Sequence, residues 1–85
     1  MQIQLRFFAS VREALNIAQE SVELPPGVQT IGDVRQHLQA RGGAWAETLA
    51  QGRALRMAYN QQMSDESTLV TPGCEVAFFP PVTGG

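Results

Sequence analysis

No lysine occurs anywhere in this 85-residue chain, and cysteine and histidine occur once each. A lone Cys74 excludes an internal disulfide, a Cys-x-x-Cys redox pair and a thiolate zinc site. It reads as a passive, partly buried thiol. His37 has no second histidine and no acidic cluster at ligand spacing, so it reads as a surface residue, and no metal is expected. Positive charge is scarce. The formal net charge is −2, which offers no field to hold a phosphate backbone and argues against nucleic acid as a partner. The apolar runs fall far short of a membrane span. Met1-Gln2-Ile3-Gln4-Leu5 lacks the basic region and long apolar stretch of a signal peptide. A cytosolic protein, not bound to membrane, is expected.

Chemistry-bearing motifs are equally sparse. Gly42-Gly43 follows a helical pattern instead of opening one, so it is not a phosphate loop. Asp65 and Glu66 read as solvated neighbours on a loop, and no nucleophile has a base beside it. The chain is not expected to catalyse a reaction alone.

What is present is a single small domain's worth of periodic sequence, 44% apolar and ordinary for a globular protein. Met1, Ile3, Leu5 and Phe7 alternate with polar residues, the period of a half-buried strand. Ser10 to Asn16 reads as a helical turn or loop with Val11 and Leu15 at helical spacing. Val22 and Leu24 mark a second strand, stopped by Pro25-Pro26-Gly27. Thr30 and Asp33 form a short-armed capping box before an apolar stripe of Ile31, Val34 and Leu38. Arg41 is expected in the last turn of that helix, with Gly42-Gly43 ending it. Ala44 to Ala50 suggests a shorter helix, with Trp45 and Leu49 on one face. Leu55, Met57 and Tyr59 alternate as a third strand, Asn60-Gln61 is a turn, and a short strand surrounds Met63. Thr71-Pro72-Gly73 turns the chain into a last strand, Glu75 to Phe79. Strand, strand, helix and further strands predict an α+β domain of β-grasp (ubiquitin-like) type: a mixed sheet with one main helix across it, first and last strands adjacent.

The end of the chain is the most specific feature. Phe78-Phe79-Pro80-Pro81-Val82-Thr83-Gly84-Gly85 runs from an apolar strand through two prolines to a bare diglycine. Pro80 and Pro81 fix φ and hold a tail away from the body. Gly84 and Gly85 carry no Cβ and fit a narrow active site. The chain thus divides into a body, 1–79, and an extended tail, 80–85, whose functional group is the α-carboxylate of Gly85. Six residues reach at most ~20 Å. Strand parity also places Phe8 and Phe79 together outside the core, with Met63 near them, as an apolar docking patch. Arg12 and Glu13, just past Phe8, are candidate rim contacts.

The closing Glu75-Val76-Ala77-Phe78-Phe79-Pro80-Pro81-Val82-Thr83-Gly84-Gly85 resembles the MoaD-type sulfur carriers, the small subunits of molybdopterin synthase. Leu5-Arg6-Phe7-Phe8-Ala9 with Val11-Arg12-Glu13, and Ala58-Tyr59-Asn60-Gln61, resemble the same family. Cys74 departs from it, standing where the family commonly has Asp in a turn, and only local turn chemistry is expected to change. The resemblance implies that an activating enzyme uses ATP to adenylate the Gly85 carboxylate. Sulfur from a protein persulfide donor then displaces AMP, leaving a C-terminal thiocarboxylate. The large catalytic subunit accepts the tail, and its sulfur adds to cyclic pyranopterin monophosphate to build the dithiolene of molybdopterin. It further implies two small subunits flanking a dimer of large ones, and no cofactor bound by this chain. A ubiquitin-like protein modifier and a sulfur carrier for thiamin thiazole synthesis share the fold and the diglycine end. A purely structural interaction domain is the third alternative, and it would make Gly85 dispensable.

Overall fold

The computed structural model of the protein describes residues 1–81. Strand β1 spans Gln2–Phe7, and its alternation resolves as expected, with Ile3, Leu5 and Phe7 buried. Helix α1, Ala9–Leu15, follows at once and buries Val11 and Leu15. The polar segment therefore makes a full helix, closed by Asn16 in the left-handed region at φ 58°. Strand β2, Gln19–Glu23, returns antiparallel to β1 and pairs Val22 with Ile3.

Helix α2 spans Ile31–Gln39 and starts where the capping box required. Thr30 Oγ1 accepts from the Asp33 amide at 3.1 Å, while Asp33 Oδ2 accepts from the amides of Gln29 and Thr30 at 3.0 and 3.2 Å. The apolar stripe of Ile31, Val34 and Leu38 is wholly buried. Helix α3, Gly43–Thr48, follows directly. Strands β3 (Arg56–Tyr59), β4 (Gln62–Ser64) and β5 (Glu75–Phe79) complete a five-stranded sheet of order β2-β1-β5-β3-β4. Only the β1–β5 pair is parallel, with Leu5 opposite Val76 and Phe7 opposite Phe78. The inward residues of β1, β3 and β5 join those of α1 and α2 in one core. A mixed sheet with its helices across one face is the expected β-grasp architecture.

Arg41 departs from expectation. Helix α2 ends at Gln39, with Ala40 as its cap. Arg41 lies beyond it, where Nη1 and Nη2 of its guanidinium donate to the Glu20 carboxylate and the group stacks on Trp45, 4.4 Å from the ring centroid. A bidentate partner and an aromatic face outweigh the weaker pull of a helix terminus.

Glu66 also departs, because it is not merely solvated. Its carboxylate accepts from Arg35 Nη1 at 3.0 Å, and Arg35 is the buried charged residue of the described chain. Arg35 Nε donates to the Leu49 carbonyl at 2.8 Å, and Nη2 donates to the carbonyls of Ala50 and Arg53. One side chain thereby donates to three carbonyls of the α3–β3 connection. The neighbouring Gly32 amide donates to the Glu66 carbonyl at 3.0 Å, an approach so close that an added Cβ would lie 3.1 Å from Glu66 Cβ.

Two stability predictions follow from these contacts. Arg35→Met leaves the Leu49 and Arg53 carbonyls without a donor and Ala50 with only the Arg53 amide, and it should cost about 3 kcal/mol in urea unfolding, since each buried unpaired group is expensive. Glu66→Gln removes only a half-exposed charge and should cost under about 1 kcal/mol. Equal losses would mean that the ion pair, not the carbonyl network, holds the connection. Asp33 tests the cap by pH. Its backbone donors, Gln29 first and then Thr30, hold its carboxyl below the ordinary carboxylate range. The stability it confers is complete above the unfolded Asp pKa of about 3.9 and is lost as pH falls through the lower folded value. Asp33→Asn should flatten that part of the acid-unfolding curve, and an unchanged curve would contradict the linkage.

Candidate functional site

The face of the sheet away from the helices carries the site. β1 continues in extended geometry for one residue beyond Phe7, so Phe8 (φ −131°, ψ 157°) points to the opposite face. Its amide donates to the Phe78 carbonyl at 3.3 Å, and the chain then turns through Ala9 at φ 51° into α1. Parity in β5 sends Val76 and Phe78 into the core and Phe79 outward. The two outward rings meet edge to face, with centroids 6.4 Å apart and planes at 81°. Such a pair contributes about 0.5–1.5 kcal/mol beyond its burial. Phe8 nonetheless remains 41% exposed.

These rings wall a groove of about 560 Å³ lined by Phe8, Ala58, Ala77, Phe79, Pro80 and Pro81, with Ala9 beside them and Gln61 and Glu75 at its polar end. The prolines put the groove next to the departure point of the tail. Arg6 borders it, its Cζ 5.5 Å above the Phe8 ring and its Nη1 3.9 Å from Glu75 Oε1. Gln61 reaches the groove from a tight turn in which Asn60 and Gln61 adopt φ 47° and 68°. Asn60 is held there by its Oδ1, which accepts from the Glu75 amide at 2.8 Å.

The expected site residues divide clearly. Phe8 and Phe79 are together. Met63 shares their face, since it pairs with Ala58 across β3–β4, and is highly exposed, but it stands beside the groove and does not line it. Arg12 and Glu13 are exposed on α1 and border a separate depression with Asn16, Ile17 and Ala18. Pro80 and Pro81 are half-buried against the groove. Val82, Thr83, Gly84 and Gly85 lie outside the described residues. His37 is half-buried in α2. Cys74 is more deeply placed than expected: it is 4% exposed and belongs to the core. Arg6, Gln61, Glu75 and the two alanines were not anticipated. Their signal was parity, because Arg6, Ala58, Ala77 and Glu75 all alternate with core residues.

Among the described residues, no cluster of His, Cys, Asp or Glu has metal-binding geometry, and no helix is long and apolar enough to cross a membrane. What the arrangement supports chemically is apolar docking beside an emerging chain end.

Known proteins share this whole chain. It is 41% identical over 83 residues to the molybdopterin synthase sulfur carrier subunit of Escherichia coli, covering 98% of this chain and 99% of the relative. It is 39% identical over 83 residues to the subunit of that name from Haemophilus influenzae, with the same coverage. Among solved structures, it superposes on a chain from the complex of subunits 1 and 2 of the Helicobacter pylori molybdopterin-converting factor. That match has a TM-score of 0.68, covers 100% of both chains and is 23% identical, a likeness of fold. The ThiS family model matches residues 5–85. The chain belongs to the ThiS family, and its full-length relatives are sulfur carrier subunits of molybdopterin synthase.

Proposed function

We propose that this chain is the sulfur carrier subunit of a molybdopterin synthase and that the Gly85 carboxylate carries the sulfur. The observation that carries this reading is the position of the apolar groove, which is walled by Pro80 and Pro81 where the chain leaves β5. A partner seated there meets the root of a tail whose final residues have no side chains. The body, 1–79, serves as a docking module and the tail, 80–85, as the arm. An extended arm of that length spans at most ~20 Å.

The chemistry divides between this chain and its partners. A carboxylate resists nucleophiles, so an activating enzyme first converts Gly85 to an acyl-adenylate, with pyrophosphate leaving from ATP. A persulfide donor then attacks the acyl carbon through its terminal sulfur and AMP departs. A second thiol takes the inner sulfur as a disulfide, freeing the thiocarboxylate. The large subunit supplies the acid–base groups and binds cyclic pyranopterin monophosphate, to which the sulfur is transferred. The small chain binds no cofactor and contributes position and sulfur. Absence of lysine also leaves no side-chain amine on this protein to capture its own activated end. Phe8, Phe79 and Met63 form the apolar contact with the large subunit. Arg12 and Glu13 contact the rim of the large subunit or of the activating enzyme, where charge mainly sets association rate.

Phe79→Ala should weaken binding of the large subunit by about 2 kcal/mol, ~30-fold, as truncation of a buried aromatic anchor does. Calorimetry reads the affinity and circular dichroism the fold. Wild-type affinity in a folded variant would remove the docking role. The tail is tested separately by deleting Gly85, by appending one residue after it, and by Gly84→Val. Each variant should melt within a few degrees of wild type. Deletion and extension should abolish conversion of the pterin precursor, and Gly84→Val should impair it severely. An uncleaved extended protein that still delivered sulfur would rule out the terminal carboxylate.

A further inference from the structure

The outward face of the sheet has an unusual floor. Ala77 of β5 pairs directly with Ala58 of β3, and the same row continues to Arg6 on one side and Met63 on the other. Along the strands the next outward residues are Phe79, paired with Arg56, and Glu75. Two small side chains are thus ringed by large ones. Both alanines are shielded, with Ala58 8% and Ala77 3% exposed, yet neither belongs to the hydrophobic core cluster. They lie at the bottom of the groove.

Alanine is a poor strand former, and a solvated sheet face ordinarily bears β-branched, aromatic or long polar residues that pack across strands. A directly opposed alanine pair in neighbouring interior strands forgoes that packing. It leaves a hollow instead, about three strand spacings wide between the β1 and β4 backbones, or ~14 Å. The walls on the tail side are Phe79 and Pro80; the opposite end carries Glu75 and Gln61.

We infer that Ala58 and Ala77 are specificity-determining residues that receive a bulky apolar side chain, Leu, Met or aromatic, projecting from the large synthase subunit. The inference rests on the docking reading above and specifies its centre. Continuity selects this occupant. Pro80 lines the hollow and begins the tail, so a protein that fills it is positioned to take the tail, and of the two that take it the large subunit is the one already assigned the Phe8–Phe79 wall of the same groove. The floor and the Phe8–Phe79 wall are apolar, and the adjacent Glu75 is already engaged by Arg6, so the centre of the contact demands shape before charge. Fully desolvated apolar pockets at an interface centre are where a single inserted side chain dominates affinity.

The test fills the hollow from this side. Ala58→Val and Ala77→Val add bulk on the outward face without entering the core, and Val suits a strand better than Ala. Both variants should melt at or above the wild-type temperature and bind the large subunit at least tenfold more weakly. Ser21→Val, on the same face but in the edge strand β2 opposite Gln4, should bind as wild type. In the wild-type complex, the Ala58 and Ala77 methyl groups should show NMR contacts to an apolar side chain of the large subunit. Wild-type affinity in either folded valine variant would overturn the inference, as would alanine methyls without such contacts. Comparison with Phe79→Ala separates the two levels. Loss with Phe79→Ala but not with the valines removes the hollow and keeps the docking face, whereas loss with none of them removes both.

Discussion

The parallel pairing of β1 with β5 is the constraint on which the rest depends. Parallel register places side chains opposite one another on the same face, so Phe7 and Phe78 meet inside while Phe8 and Phe79 meet outside. Parallel neighbours also require a long crossover between them. Here the intervening chain includes α2, which supplies the buried stripe of Ile31, Val34 and Leu38. One pairing therefore builds the core, assembles the aromatic wall and delivers Pro80 to the edge of the groove. A slip of one residue would send Phe79 inward and Phe78 outward, destroying core and apolar groove together.

Polar groups stabilise the connections that the sheet leaves loose. Arg35 donates to three carbonyls between α3 and β3 and reaches across to Glu66. Arg41 ties β2 to the α2–α3 junction through Glu20 and Trp45. The docking proposed for the apolar groove would benefit from such a frame, because disorder at the site would have to be removed on binding. The carrier's role asks little else of the body. The proposed chemistry lies at the chain end, which accords with a body that has few residues of the kind that mark an active site.

Much of this was legible in the sequence because two periodicities are clean. The alternation in β1 and β5 gave the strands, their inward residues and the outward Phe8–Phe79 pair. The Thr30–Asp33 spacing gave the start of α2. What escaped was of two kinds. Arg35 is a charged residue at the i+4 position of the apolar stripe itself, between Val34 and Leu38, and only three-dimensional proximity to the carbonyls of Leu49, Ala50 and Arg53 makes its burial favourable. The hollow escaped because alanine carries no chemical signal; its meaning arises from the register that sets Ala58 against Ala77 and surrounds the pair with large side chains. Met63 was placed on the correct face by parity, yet one strand further out than the groove. Cys74, expected to be a partly buried thiol, is instead a core residue, placed there by the strand that follows it.

The central claim is that this protein carries sulfur as a covalent group on its last residue. The direct measurement is the intact mass, with C-terminal fragmentation, of the protein isolated from cells together with its activating enzyme and sulfur donor. The account predicts that one oxygen of the Gly85 carboxylate is replaced by sulfur and that the added mass disappears after incubation with the large subunit and pterin precursor. A protein fully active in that conversion whose Gly85 never bears sulfur, or whose terminal carbonyl is found only in amide linkage to other proteins, would contradict it.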